Sequence, residues 1–167
     1  LLGEYKNVMT LPYVDDTLPT LPNVTAGMTK VKYNSTSGKW EKVTDDTVEW
    51  YNYANKEWAN VVLGDATWNS DGTLDESKAY TQLVWIPRFA YKITSQYHTE
   101  GSTAGNIEVV FIDSNNQNKS KTVTYSTTYP TATVGGGMDD FVVHPAFDYG
   151  GIRLTGFWVG KFESSHT

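Results

Sequence analysis

The chain of 167 residues contains no cysteine. This absence excludes disulfide bonds, zinc sites built on thiolates, and cysteine nucleophiles. The sequence also has no apolar run near the roughly 20 residues that a membrane-spanning helix needs, and no signal-peptide pattern. We therefore expect no membrane insertion, and any enzymatic chemistry has to come from other side chains.

Charged residues are also scarce. They make up 19% of the chain, with 13 basic against 19 acidic residues and a net charge of −6. Nucleic acids and anionic membrane surfaces normally bind a basic patch, and the sequence has no run of lysine and arginine. We therefore expect neither as a partner. Aromatic residues, by contrast, reach 14%, which favours a folded, mostly β protein.

Two consecutive β-hairpins are predicted near the start of this β region. Each consists of two short alternating segments joined by turn residues. The four predicted strands are 28–33, 39–43, 48–53 and 57–63. We expect these and the later strands to form a sandwich-like domain of short antiparallel hairpins, without long helices.

The two predicted hairpins resemble each other at an offset of 18 residues. The matching pairs are Tyr33 with Tyr51, Asn34 with Asn52, Trp40 with Trp58, and Val43 with Val61. Cross-strand aromatic pairs stabilise a hairpin by about 0.2–1 kcal/mol each, so packing alone explains the repeat. Exposed rings on such hairpins also stack on sugars. The candidate ligand-binding residues are Trp58, Tyr53, Trp68 and Tyr97.

The sequence predicts three regions along the chain. Residues 1–27 contain three prolines and little periodicity, which indicates an extended N-terminal arm packed on a neighbour. Residues 28–63 form the aromatic hairpin pair. Residues 64–167 form a β-rich domain that we expect to be truncated at its C-terminal end. The loops 64–79, 95–106 and 131–140 are expected to face outward.

The segments 82–87 and 88–94 are predicted to be either a strand pair or one strand bent at Pro87. Arg88 and Lys92 fall on the same side of the second segment, which predicts a basic outer face. Alternatively, Arg88 pairs with a buried acid such as Glu108 or Glu163. A further strand is predicted at 107–113, where the residues are apolar and β-branched. It is followed by a predicted tip at 114–120 and a return strand at 121–126.

Oxygen-bearing residues between 65 and 76 resemble a calcium loop. Asn69, Asp71 and Asp75 are the candidate ligands, and Gly72 would make the turn. A 12-residue loop beginning at Thr67, however, has Lys78 where a bidentate glutamate belongs. The sequence favours a solvated turn over a calcium site, and no other cofactor is expected.

No convincing catalytic arrangement is found. Asp139, Asp140, His144 and Asp148 are close in sequence, but adjacent carboxylates on an extended backbone diverge, whereas a glycosidase places two across one bond. We expect the His144 ring to satisfy a local hydrogen bond. The run 135–137 of three glycines precedes two aspartates, so it is interpreted as a flexible tip and not as a phosphate loop.

Three segments of the chain resemble a module of Firmicutes prophage tail or fibre proteins and of bacterial surface or pilin-like proteins. They read VWIPRFAYKI at 84–93, IEVVFID at 107–113, and HPAF at 144–147 with LTGFWVGKFE at 154–163. The segments 27–31 and 50–60 fit the same pattern. In such proteins the module leads into a formylglycine-generating-enzyme or C-type-lectin-like domain. Residues 156–163 resemble the opening strand of that domain. The catalytic cysteines of the enzymatic branch have no counterpart here.

This resemblance implies a non-enzymatic structural or adhesive module of a virion, in a tail fibre, tail tip or head fibre. Its expected partners are neighbouring copies or other virion proteins, and a glycan or protein on the host surface. A bacterial surface or pilus-associated adhesin is the alternative, and a glycan-active enzyme is the third. The expected location is accordingly a virion, the extracellular space or the cell surface.

Overall fold

The computed structural model describes residues 21–45, 48–53, 55–101, 103–113, 115 and 125–162. These residues confirm the mostly β class with short antiparallel strands. The strands are β1 Thr29–Asn34, β2 Lys39–Lys42, β3 Asn60–Val62, β4 Gln82–Pro87, β5 Phe89–Ser95, β6 Asn106–Phe111, β7 Tyr125–Ser126, β8 Phe141–Val143, β9 Asp148–Tyr149, β10 Ile152–Arg153 and β11 Gly156–Gly160.

The described residues divide into two compact units. The first comprises Pro22–Ile86 together with 156–162, and the second comprises Pro87–Thr155 together with Leu21. This division differs from the boundaries at 27 and 63 that the sequence suggested. Residues 1–20 of the expected arm lie outside the described residues, whereas Asn23 contributes a carbonyl that accepts a hydrogen bond from the Trp158 indole at 2.9 Å.

The first unit is built on a five-stranded sheet in the order β11-β4-β3-β1-β2. The predicted first hairpin is confirmed as β1 and β2, joined by residues 35–38. Its turn is encoded locally, because the Asn34 side-chain oxygen accepts hydrogen bonds from the amides of Thr36 and Ser37 at 2.9 and 3.2 Å. Gly38 closes it with a left-handed φ of 70°.

The second predicted hairpin is wrong in its pairing. Residues 52 and 57 form a single bridge around a tight turn. The strand that follows, β3, pairs with β1 on one side and β4 on the other. All three of its residues are buried, and a central position gives a buried strand two hydrogen-bonded neighbours, which a hairpin with 48–53 would not.

The loop 64–79 is largely exposed, but apolar anchors fix it to the first unit. Leu74 is 2% exposed and packs with Val31 and Val62, and Trp68 packs against this cluster. The Leu74 amide donates to the Trp40 carbonyl at 2.8 Å.

At the other edge of the sheet, β11 lies so close to Trp85 that a Cβ on Gly156 would come within 2.3 Å of its ring. All six tryptophans of the chain belong to this unit.

The second unit contains the antiparallel strands β6, β5 and β8, with β7 parallel to β8 at the edge. The predicted strand 107–113 is thus present as β6. The described part of its predicted return strand, β7, pairs with β8 and not with β6; most of the predicted tip lies outside the described residues. The loops 95–106 and 131–140 are joined by hydrogen bonds between Tyr97 and the glycines Gly135 and Gly136.

Arg88 lies between β4 and β5, which enter different sheets and do not pair with each other. The expected basic outer face is wrong for this residue, because its side chain is 0% exposed. It forms an ion pair with Asp148 at 2.8 Å and donates to the carbonyls of Phe147 and Leu154 at 2.8 and 3.2 Å. The alternative prediction that Arg88 forms an ion pair is confirmed. Its partner, however, is Asp148 and neither of the two glutamates that were considered.

The buried guanidinium leads to a stability prediction. Arg88→Met keeps much of the side-chain volume but removes the guanidinium hydrogen bonds to two carbonyls and a carboxylate. We expect the free energy of unfolding to fall by about 3 kcal/mol, since removing one member of a buried charged network is costly. Urea unfolding followed by far-UV circular dichroism measures this loss.

Lys92→Met, which removes a cation on the neighbouring strand β5, is the matched control. Its ammonium makes an exposed hydrogen bond to the Asp139 carbonyl, so we expect a loss of no more than about 0.5 kcal/mol. Equal losses in the two variants would contradict the structural role assigned to Arg88.

Candidate functional site

An open groove of about 470 Å³ lies on the first unit. Four aromatic side chains contribute to its lining, together with four charged side chains. They are Tyr33, Trp40, Trp50 and Trp58, and Lys32, Lys56, Glu57 and Lys161. Asn60 and Val84 line it too. We call this the aromatic groove. Concave sites with aromatic walls and a few polar groups are typical ligand-binding sites.

Two of the aromatic rings come from the first hairpin. Tyr33 and Trp40 are directly opposite each other in the β1–β2 register, with ring centroids 5.3 Å apart. The Tyr33 residue is 49% exposed, whereas Trp40 is partly buried against the Val31 cluster. Tyr33 therefore offers ring surface to a ligand, and Trp40 is held in place by its packing against the core.

Trp58 forms another part of the lining. Its ring meets the Tyr53 ring edge-on, with centroids 5.2 Å apart. Trp40 and Trp58 are the two tryptophans matched by the 18-residue repeat, and both line the aromatic groove. Only Trp58 of the two was predicted to bind a ligand, and the hairpin expected to carry it is reduced to the single bridge between residues 52 and 57.

The buried residue Asn60 forms hydrogen bonds with several of these residues. Its side-chain oxygen accepts hydrogen bonds from Gln82 Nε2 at 3.1 Å and from Lys161 Nζ at 3.3 Å, and its amide nitrogen donates to the Trp58 carbonyl at 2.6 Å. The Trp50 indole donates to the Asn60 carbonyl at 3.0 Å. Asn60 is itself only 5% exposed. It therefore positions Trp50, Trp58 and Lys161 together.

The lysines of the groove have different environments. Lys32 pairs with Glu57 at 3.3 Å and donates to the Glu49 carbonyl at 2.9 Å. Lys161 remains accessible as a residue, yet its ammonium lies 3.8 Å from the Trp40 ring centroid. This position removes water from the ammonium, and the desolvation lowers the pKa of Lys161. The Trp40 ring face stabilises the cation in return.

The four predicted ligand-binding residues do not form one site. Trp58 lines the aromatic groove, but Tyr53 is 1% exposed and supports it from inside. Trp68 packs on the Leu74 cluster and carries Lys42 over its ring at 4.3 Å. Tyr97 belongs to the second unit, where its ring stacks on His98 at 4.2 Å. Of the aromatic residues in the groove lining, only Trp58 was among the predicted ligand-binding residues. Sequence reasoning missed Tyr33, Trp40 and Trp50, and also Lys161.

The calcium-loop candidates act as turn residues. Asp71 Oδ1 accepts hydrogen bonds from the amide and hydroxyl of Thr73 at 3.0 and 2.6 Å, and its Oδ2 lies 3.4 Å from Lys39 Nζ. Asp75 accepts from the amide and hydroxyl of Ser77. Asn69 donates to Thr73 at 3.0 Å. The described residues contain no group of three or more acidic, histidine or cysteine side chains arranged to hold a metal ion.

The residues weighed as an acid–base set also have local structural partners. His144 Nδ1 accepts the Ala146 amide at 3.3 Å and so caps a short 3-10 helix at Pro145–Phe147, which confirms the expected local hydrogen bond. Burial lowers the pKa of His144. Asp148 is engaged by Arg88, and Asp140 accepts the amide of Phe141 at 2.7 Å.

Comparisons with known proteins add no family assignment. No protein-family model matches the chain, and searches of curated proteins and of solved structures gave no significant match. Within the part of the chain that the structure describes, no helix has the length and apolarity needed to cross a membrane. The resemblance to virion and surface modules stays a prediction, and the groove geometry is the main evidence about function.

The buried carboxamide of Asn60 leads to a second prediction. Asn60→Leu has a similar volume but removes the hydrogen bonds that the carboxamide makes to Gln82 Nε2 and to the Trp58 carbonyl. We expect the free energy of unfolding to fall by about 3 kcal/mol, because each unsatisfied buried polar group costs about 1–3 kcal/mol. Tryptophan fluorescence during urea unfolding reports this unit, which holds all six tryptophans. The exposed Asn55→Ala is the control, and a loss no larger than that of the control would contradict the assignment.

A third prediction concerns the ionisation of Asp71. Hydrogen bonds from the Thr73 side chain and backbone lower the pKa of Asp71 to about 2, and Lys39 adds a smaller effect in the same direction. The contribution to turn stability is therefore present above the ordinary carboxyl pKa near 4 and is lost as pH falls through about 2. The carbon-13 NMR shift of the Asp71 carboxyl group during an acid titration measures the midpoint of its protonation. Thr73→Val should raise this midpoint. A wild-type midpoint close to 4 would contradict the turn geometry.

Proposed function

We propose that the chain is a non-enzymatic structural and adhesive module that binds a glycan in the aromatic groove. The observation that carries this proposal is the arrangement of Tyr33, Trp40, Trp50 and Trp58 around one open concavity of about 470 Å³. Aromatic faces with nearby polar groups suit sugars, because a pyranose ring offers an apolar C–H face and hydroxyl groups at its edge.

The internal contacts of the groove support a binding role. The Trp50 indole nitrogen is hydrogen-bonded to the carbonyls of Val31 and Asn60, so this ring is held in place before a ligand arrives. The Glu57 carboxylate forms an ion pair with Lys32, and this pair holds both side chains in the groove lining. A site fixed in this way binds without the cost of ordering its own side chains.

The resemblance of segments 84–93, 107–113 and 144–163 to phage tail and fibre modules favours a virion as the assembly. On such a particle the module would contact neighbouring copies or other virion proteins and present the groove to the host surface. Bacterial surface proteins share the resemblance, and a glycan-binding role applies to either location.

A glycan array probed with the full chain tests the proposal, and Trp58→Ala and Tyr33→Ala are the diagnostic variants. We expect each to weaken the affinity for a bound glycan by about 30-fold, which corresponds to about 2 kcal/mol for an aromatic residue central to a binding site. Titration calorimetry with the strongest glycan gives the dissociation constants.

Tyr149→Ala is the matched control, because Tyr149 is 79% exposed and belongs to the other unit. We expect this variant to bind like the wild type. Affinity that is unaffected by the two groove substitutions, or that falls equally in the control, would show that the glycan binds elsewhere.

A further inference from the structure

The charge of the aromatic groove is opposite to that of the chain. The whole sequence carries −6, whereas the groove is lined by Lys32, Lys56 and Lys161 against the one acidic lining residue among those described, Glu57. Lys32 is already paired with Glu57. The excess positive charge therefore comes from Lys56 and Lys161, which an anionic ligand would encounter in a groove on an otherwise acidic protein.

The Lys161 ammonium is fixed by neighbouring side chains and is not paired with a carboxylate of the described residues. Its ammonium rests on the Trp40 ring and on Asn60 Oδ1, and no carboxylate of the described residues lies within 4 Å of it. Its partial desolvation lowers its pKa. A carboxylate placed beside it would restore the lost stabilisation of its charge in surroundings that screen the attraction less than bulk water does.

Lys56 adds an independent observation. Its backbone has a φ of 62°, a left-handed conformation that glycine adopts readily and that a lysine adopts at a cost. The turn at 55–56 would therefore tolerate glycine better than lysine on conformational grounds. The side chain at this costly backbone position lines the groove, where it adds a second cation.

Resting on the glycan-binding function proposed above, we infer that the ligand is an acidic saccharide whose sugar rings carry carboxylate groups, as in a uronic-acid polymer. A hexuronate places its carboxylate on the same ring that stacks on an aromatic face. One sugar residue can thus use both an accessible aromatic ring of the groove, such as Tyr33 or Trp58, and the Lys161 ammonium. A phosphate-linked polyol lacks the ring, and a neutral glycan lacks the charge.

Titration calorimetry of the full chain with matched oligosaccharides tests this inference. The probes are oligomers of galacturonate and glucuronate, the neutral galactose and glucose oligomers of equal length and linkage, and poly(glycerol phosphate). We expect the acidic oligomers to bind at least 10-fold more tightly than their neutral counterparts at 20 mM salt, with a smaller ratio at 500 mM salt because ions screen the attraction.

Two variants address the lysines directly. Lys161→Met retains the apolar stem on Trp40 and should lower the ratio of acidic to neutral affinity about 10-fold. Lys56→Gly removes the other cation and should lower the same ratio without lowering the urea midpoint, because it relieves the left-handed backbone. Lys78→Met, an exposed lysine outside the groove lining, is the control and should keep the wild-type ratio.

The outcomes separate this inference from the function on which it depends. Equal affinities for acidic and neutral oligomers, or a ratio unaffected by both lysine variants, would overturn the acidic ligand and leave the glycan-binding groove intact. Poly(glycerol phosphate) binding as tightly as the uronates would overturn the role of the stacked sugar ring. Failure of every array glycan and every oligomer to bind would overturn the glycan-binding function itself.

Discussion

The hydrogen bonds of the Asn60 carboxamide are the constraint on which the first unit and its groove depend. β3 is the middle strand of a five-stranded sheet, and Asn60 is the polar residue of this otherwise apolar strand. A buried carboxamide has to find partners, and Asn60 finds them in Gln82, Lys161 and the Trp58 carbonyl. The hydrogen bonds that satisfy this one buried side chain thereby hold Trp58 and Lys161 of the groove in position.

Arg88 has a comparable role in the second unit. The guanidinium is rich in donors, and its Nη1 and Nη2 atoms donate to two carbonyls and a carboxylate contributed by residues 147–154. Each unit thus contains a buried polar side chain that joins segments distant in sequence. Exposed pairs such as Lys39–Asp71 contribute less, because water and salt screen them.

The aromatic residues divide into two roles that composition does not separate. Tyr53 and Trp68 fill space against the core, whereas Tyr33 and Trp58 have surface available in the groove. The same ring chemistry serves both roles, and the difference lies in which face the surrounding strands leave open. The division explains why a repeat of regular spacing contains both packing residues and candidate ligand-binding residues.

Features encoded within a few residues could be predicted from the sequence. The β1–β2 hairpin followed from alternating residues around the turn at Asn34, the turns at Asp71 and Asp75 from adjacent oxygen-bearing residues, and the local bond of His144 from its position before Pro145. In each case the partners are neighbours in the chain, so their chemistry and geometry can be read together.

What the tertiary structure decided were the contacts between distant residues. Residues 57–63 looked like the return strand of a local hairpin, but the central position of β3 satisfies both edges of a buried strand. Lys161 reaches Asn60 across 101 positions, and Arg88 reaches Asp148 across 60. No local pattern specifies such partners, because burial selects them only when the sheets assemble. The sequence alone therefore determined a cysteine-free, aromatic-rich β protein and its local turns, while packing decided which aromatic rings and which lysines form a site.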